Sequence, residues 1–130
     1  FATATTNSAD VGDLASRVLD NKGHSSATHG YSTGGTNDPT DAGTTYNYIQ
    51  KFSFASSSSA STVASLISAL KKHAGRSSTD NGYAVGGNAG NGAPSAGGNV
   101  IQKFPFSSDA AATDVGDLTV SRVQSANNEV

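Results

Sequence analysis

Apolar residues in this chain come in short clusters, separated by longer runs of Gly, Ser, Thr and Asn. The clearest cluster is Asn47-Tyr48-Ile49-Gln50-Lys51-Phe52-Ser53-Phe54. β-Branched and aromatic residues behind a turn-rich stretch predict a strand. In an extended chain Tyr48, Phe52 and Phe54 fall on one face and Ile49 on the other. Apolar groups on both faces predict a sheet held between neighbours. Residues 36–44 and 88–98 are rich in Gly, Asn and Pro and predict loops. Gly34-Gly35 and Gly86-Gly87 predict strand ends where positive φ is needed. A different pattern stands at Val63, Leu66, Ile67 and Leu70. That spacing predicts an amphipathic helix, with Ser61 or Thr62 as its cap and Lys71, Lys72 and His73 in its last turn. Val11, Leu14, Ala15 and Val18 keep the same spacing.

The clusters recur at one offset. Ile49-Gln50-Lys51-Phe52 returns as Ile101-Gln102-Lys103-Phe104, 52 residues on. Gly30-Tyr31 returns as Gly82-Tyr83, Gly34-Gly35 as Gly86-Gly87, and Phe54 as Phe106, all at that same offset. Asp10-Val11-Gly12-Asp13-Leu14 returns two periods later as Asp114-Val115-Gly116-Asp117-Leu118, with Thr62-Val63-Ala64-Ser65-Leu66 as a degenerate copy between. One offset shared by unrelated motifs is the signature of a tandem repeat. The chain reads as one repeat domain, residues 1–130, with units of approximately 1–53 and 54–105 and a partial unit 106–130. The first copy carries Asp13 and Arg17 and the last Asp117 and Arg122, whereas the middle copy has Ser65 and Ala69. Loss of acid and base together predicts ion pairs, because losing one partner alone strands a charge.

The Gly-Gly doublets with a Tyr three residues before, the Arg upstream, the Ile/Lys/Phe strand and the period together resemble kelch-type β-propeller repeats. Val11 and Val115 stand near the place of the Trp usual in that blade. The resemblance implies blade-like β-sheets with Gly30, Tyr31, Gly34, Gly35, Ile49, Phe52, Gly82, Tyr83, Gly86, Gly87, Ile101 and Phe104 as structural repeat positions. The wording from Phe104 to Thr119, with His29 to Gly35, is similar to repeats in structural proteins of tailed phages of marine and cyanobacterial hosts. That likeness implies a virion or appendage role. A propeller typically closes with four to eight blades. Two and a half units therefore predict either a piece of a longer chain or an association of copies, as ring or open filament.

Composition narrows the chemistry. The net charge is −2 and no basic patch is present, which argues against nucleic acid as a partner. No run approaches the roughly 18 apolar residues of a membrane span. The chain has no Cys, so disulfides and thiolate chemistry are excluded, including a Cys-linked tyrosine copper centre. His24, His29 and His73 show no close metal-binding spacing, and Asn81 replaces His29 in the next copy. Asn37-Asp38-Pro39-Thr40-Asp41 reads as an Asx turn more readily than a Ca²⁺ loop. No Gly-X-Ser-X-Gly elbow and no phosphate loop occurs. No catalytic residue, cofactor or metal is expected.

The sequence therefore predicts a mainly β protein of kelch-like propeller-type blades, with a helix-containing α+β repeat or solenoid as the alternative. The expected role is a non-enzymatic structural protein that partners itself as a homo-oligomer or polymer, in a virion, appendage or extracellular filament. The alternative role is a carbohydrate-binding adhesin or receptor-binding module, with Tyr31, Tyr46 and Tyr83 as candidate stacking residues for glycans.

Overall fold

A computed structural model describes residues 9–40, 42–89 and 98–123. The protein is mainly β, with two four-stranded antiparallel sheets and, among the described residues, no helix. Sheet 1 contains β1 (Lys22–Ser25), β2 (His29–Thr33), β3 (Tyr48–Ser53) and β4 (Ser61–Ser65) in that order. Sheet 2 contains β5 (Ala74–Ser77), β6 (Asn81–Val85), β7 (Val100–Pro105) and β8 (Thr113–Asp117) in the same order. Each sheet is a meander, so every strand pairs with its neighbour in sequence. The sheets span residues 22–65 and 74–117, whereas boundaries at 53 and 105 fall between the third and fourth strand of each.

The registers repeat with the sequence. Tyr31 faces His24 on one side and Lys51 on the other; Tyr83 faces Arg76 and Lys103. The last ladder of each sheet carries the same irregularity, between Ile49 and Gln50 and between Ile101 and Gln102. The β1–β2 turn closes with Ser26 N donating to the His29 carbonyl at 2.9 Å, and Ser78 N donates to the Asn81 carbonyl at 2.8 Å. The Gly pairs have φ of 59° and 104° at Gly34 and Gly35, and 65° and 101° at Gly86 and Gly87. Only glycine enters that region without strain. The turned backbone lets Gly35 N donate to the Leu70 carbonyl at 2.7 Å and Gly87 N to the Arg122 carbonyl at 2.8 Å.

The helix expected from Val63, Leu66, Ile67 and Leu70 is not formed. Ser61–Ser65 is β4, and the backbone donors beyond it leave the segment: Leu66 N donates to the Asn47 carbonyl and Leu70 N to the Tyr46 carbonyl, at 2.7 and 3.1 Å. Those bonds replace the i→i−4 bonds of a helix. Leu66 and Leu70 are buried, but Ile67 is 52% exposed, so the four residues do not share one face. A half-buried strand followed by a turn has produced helical spacing by coincidence, and with it the α+β alternative falls.

Residues 9–15 form no strand, yet they are placed like the end of β4. Ala60 N donates to the Asp13 carbonyl at 2.8 Å, as Ala112 N donates to the Ser65 carbonyl at 2.9 Å. Ala15 N donates to Gln50 Oε1 at 2.8 Å, as Ile67 N donates to Gln102 Oε1 at 2.7 Å. Asp10–Leu14 thus sits against sheet 1 as the fourth strand of sheet 1 sits against sheet 2.

The core lies between the sheets, and the sheets meet most closely along β1 and β5. Sheet 1 contributes Tyr31 and Ile49, and its continuation Leu66 and Leu70; sheet 2 contributes Ala84, Phe104 and Ala112.

Candidate functional site

The site is best built from the joint between the sheets, because the same side chains recur on an open face. In the joint, Tyr31 stacks on Phe106 with ring centroids 4.8 Å apart, and His24 meets Phe104 edge-on at 5.2 Å. Phe104 also contacts Tyr31, at 5.8 Å. The Phe104 ring lies over Gly82 of the adjacent strand so closely that a Cβ there would fall within the ring. Phe104 is 1% exposed and Tyr31 4%. At the rim Lys51 Nζ pairs with Asp109 Oδ1 at 2.9 Å, and this bond raises the lysine's pKa.

A buried polar chain crosses the same joint. His24 Nδ1 lies 3.0 Å from the Arg76 carbonyl, which only accepts, so Nδ1 carries the proton. His24 Nε2 then accepts from the Thr33 hydroxyl at 2.9 Å. Thr33 Oγ1 in turn accepts from His73 Nε2–H at 2.9 Å. His73 Nδ1 is left buried without a partner among the described residues. The His73 imidazole is pushed down to about 3, first by burial and then by its proximity to His24, with which it cannot share a second proton, and to the Lys22 ammonium. Burial also lowers His24, against the opposing pull of the Arg76 carbonyl. Both imidazoles are therefore neutral at pH 7. They brace sheet 1 to β5 and cannot reach a dissolved substrate.

Sheet 1 has a second face, and among the described residues the equivalent aromatics there are left exposed. Phe52 lies over Gly30 as Phe104 lies over Gly82, yet Phe52 is 38% exposed and Phe54 55%. The two rings pack edge-on at 5.9 Å. Val11, Leu14, Phe52, Ser58 and Ala60 line a groove of about 180 Å³ beside them. Val11 and Leu14 are exposed as well. On the matching side of sheet 2, Tyr83, Val85, Ile101 and Lys103 are half-buried. That side repeats the one on which sheet 1 places Tyr31, Thr33, Ile49 and Lys51.

The structure distributes the sequence-predicted positions accordingly. Tyr31, Ile49 and Phe104 are joint residues; Phe52 is exposed, and Tyr83 and Ile101 are half-buried; Gly30, Gly34, Gly35, Gly82, Gly86 and Gly87 shape the strand ends and close approaches. Among the described residues no ion pair joins Asp13 to Arg17 or Asp117 to Arg122. All four are exposed. The two arginines are also not equivalent. The Arg122 carbonyl binds Gly87 as the Leu70 carbonyl binds Gly35, which puts Arg122 one place beyond the position of Arg17. The expected pairing came from aligning the two Arg residues by identity. Among the described residues the ion pairs are instead Lys51–Asp109 and Lys72–Asp20, the latter at 3.9 Å.

His29 opens β2 just after the turn, and its Nδ1 lies 2.8 Å from the Thr28 hydroxyl. Asp38 Oδ1 accepts from Thr40 N and Oγ1, the Asx-turn arrangement; Asp41 and residues 90–97 lie outside the described residues. Tyr31 is closed to a glycan by burial, whereas Tyr46 stacks on Tyr48 at 4.9 Å with both half-exposed. Sequence reasoning missed the His24–Thr33–His73 chain. A signal existed in the places where the copies differ: Arg76 stands for His24, Val85 for Thr33 and Asn21 for His73. Comparison of the chain with protein-family models and with curated proteins finds no match.

Proposed function

We propose that this chain is a non-enzymatic structural protein whose kelch-like, propeller-type blades assemble into a virion, appendage or extracellular filament. One observation carries the reading: the open Phe52/Phe54 face of sheet 1 repeats the chemistry of the Phe104/Phe106 face that sheet 2 buries. An apolar patch made of residues that elsewhere form a core marks an interaction surface. Two four-stranded meanders meeting along their first strands support the blade reading. The buried histidines support a bracing role over a catalytic one. Electron microscopy of the purified protein tests this: rings or filaments are expected, and isolated single particles at high concentration would overturn it.

A carbohydrate-binding adhesin is the second reading, favoured by the half-exposed Tyr46–Tyr48 stack, with Asn47 between the two in sequence. Aromatic faces beside amide groups suit sugar stacking and hydrogen bonding. Selective binding on a glycan array, abolished by Tyr46→Ala, would favour it over assembly.

A further inference from the structure

We infer that the Phe52/Phe54 face of one copy receives the Tyr83 face of a second copy, so that the chain joins itself head to tail. This rests on the structural reading above and names the partner for its open face.

The occupant follows from the joint inside the chain. There, the covering set is Tyr31 with Lys51 beside it on β3, and the covered set is Phe104, Phe106 and Asp109. Moving each residue by one period gives Tyr83 and Lys103 as the covering set and Phe52, Phe54 and Ser57 as the covered set. Both sets are present, Phe52 and Phe54 exposed and Tyr83 and Lys103 half-buried, and they are on opposite sheets. Within one copy they cannot meet, because the internal joint lies between them. Between two copies they meet in the geometry the chain already uses: Tyr83 stacks on Phe54 as Tyr31 stacks on Phe106. A joint of this kind is heterologous, so it generates rings or open filaments.

The segment 10–14 fits the same scheme. It lies where a fourth strand belongs, next to Ala60, but among the described residues no sheet stands behind it. In the docked pair the partner's sheet 2 stands there and brings its own β8. Asp10-Val11-Gly12-Asp13-Leu14 and Asp114-Val115-Gly116-Asp117-Leu118 are identical, and Gly12 and Gly116 share a φ of 146°. β8 already holds that place on β7, so docking seats one of the two identical segments and displaces the other.

Sedimentation velocity over a range of concentrations tests the inference with four proteins: the full chain, Phe54→Asp, Tyr83→Asp, and the two variants mixed. The full chain is expected to assemble progressively. A charge in a buried aromatic contact is expected to weaken association roughly tenfold or more, leaving each variant alone monomeric. The mixture is expected to stop at a 1:1 dimer, because each variant keeps the face the other has lost. Phe54 is exposed and Tyr83 half-buried, so circular dichroism checks that each variant keeps its fold, and Phe54→Ser and Tyr83→Ser repeat the test without the charge. Assembly of the full chain that neither variant disturbs would overturn this joint while leaving the structural function standing. A full chain that stays monomeric at every concentration would overturn both.

Discussion

Phe52 and Phe104 hold equivalent positions, each lying over a glycine of the adjacent strand, yet one is 38% exposed and the other 1%. The side chains and their immediate backbone are the same. The difference is what stands opposite. Tyr31 and His24 cover Phe104; among the described residues no equivalent pair of rings covers Phe52. Burial here is a property of the stack, and a repeat unit leaves one apolar face open wherever the stack ends. The two faces also differ in their polar brace. The internal joint carries His24, Thr33 and His73, while the residues that would meet at the open face are Arg76, Val85 and Asn21. The buried imidazoles are thus confined to the joint within the chain.

The largest test of this contrast is truncation. Phe104→Ala should cost about 3–5 kcal/mol, the usual loss for emptying a buried aromatic site. Phe52→Ala in dilute protein should cost less than about 1 kcal/mol, as for a surface residue. Urea denaturation measures both. Equal losses at low concentration would show that Phe52 is covered in solution, and would break the comparison.

The second test uses acid. The folded pKa of His73 lies at about 3, below its ordinary value of 6.5, so the unfolded chain binds more protons between those limits. Stability is therefore fully present above pH 6.5 and falls as pH drops toward 3, at about 1.4 kcal/mol per pH unit from this residue. The lowered pKa of His24 acts in the same direction. Urea midpoints taken from pH 7 to pH 4 should show the slope. His73→Asn, which installs the residue found at Asn21, should flatten it. An unchanged slope would show that the imidazole is not what couples the joint to pH.

How far the sequence could be read follows from where each signal lies. Tyr48–Ser53 and Val100–Pro105 were legible as strands because a cluster of β-branched and aromatic residues is a local signal and the motif recurs. The Gly doublets were legible as strand ends because positive φ is a property of one residue. Val63, Leu66, Ile67 and Leu70 misled, since their spacing fits a helix and the backbone partners that decide the matter, Asn47 and Tyr46, lie well upstream. The Asp–Arg pairing misled for a related reason: identity placed Arg122 with Arg17, whereas hydrogen bonding places it with Leu70. The open face was half legible. The repeat identified Phe52 and Phe104 as equivalent, but only the packing shows which of them has a cover.

A third test exploits the glycines beneath the two rings. A Cβ at Gly82 would enter the Phe104 ring, which is packed against Tyr31 and His24 and has no room to move. Gly82→Ala should therefore cost about 1–3 kcal/mol, the range for overpacking. A Cβ at Gly30 meets the Phe52 ring in the same way, but that ring is free to swing into solvent. Gly30→Ala should cost less than half as much. Thermal unfolding of the pair separates them, and parity would again argue that the open face is occupied.

The smallest effect would sharpen the comparison most. In the internal joint Lys51 pairs with Asp109 at 2.9 Å, at the rim of the aromatic contact. In the head-to-tail joint the lysine is Lys103, but Ser57 stands where the acid should be. Ser57→Asp therefore supplies the missing partner without touching an aromatic ring. Exposed ion pairs contribute about 0.2–1 kcal/mol, so association should tighten about 1.4- to 5-fold. The gain should fade as salt rises and disappear in the Lys103→Ala background. Ser57 is exposed and outside every strand, so the stability of the single chain should not change. Tighter association that persisted without Lys103 would mean that the added carboxylate had found some other cation, and that the copies meet in another register.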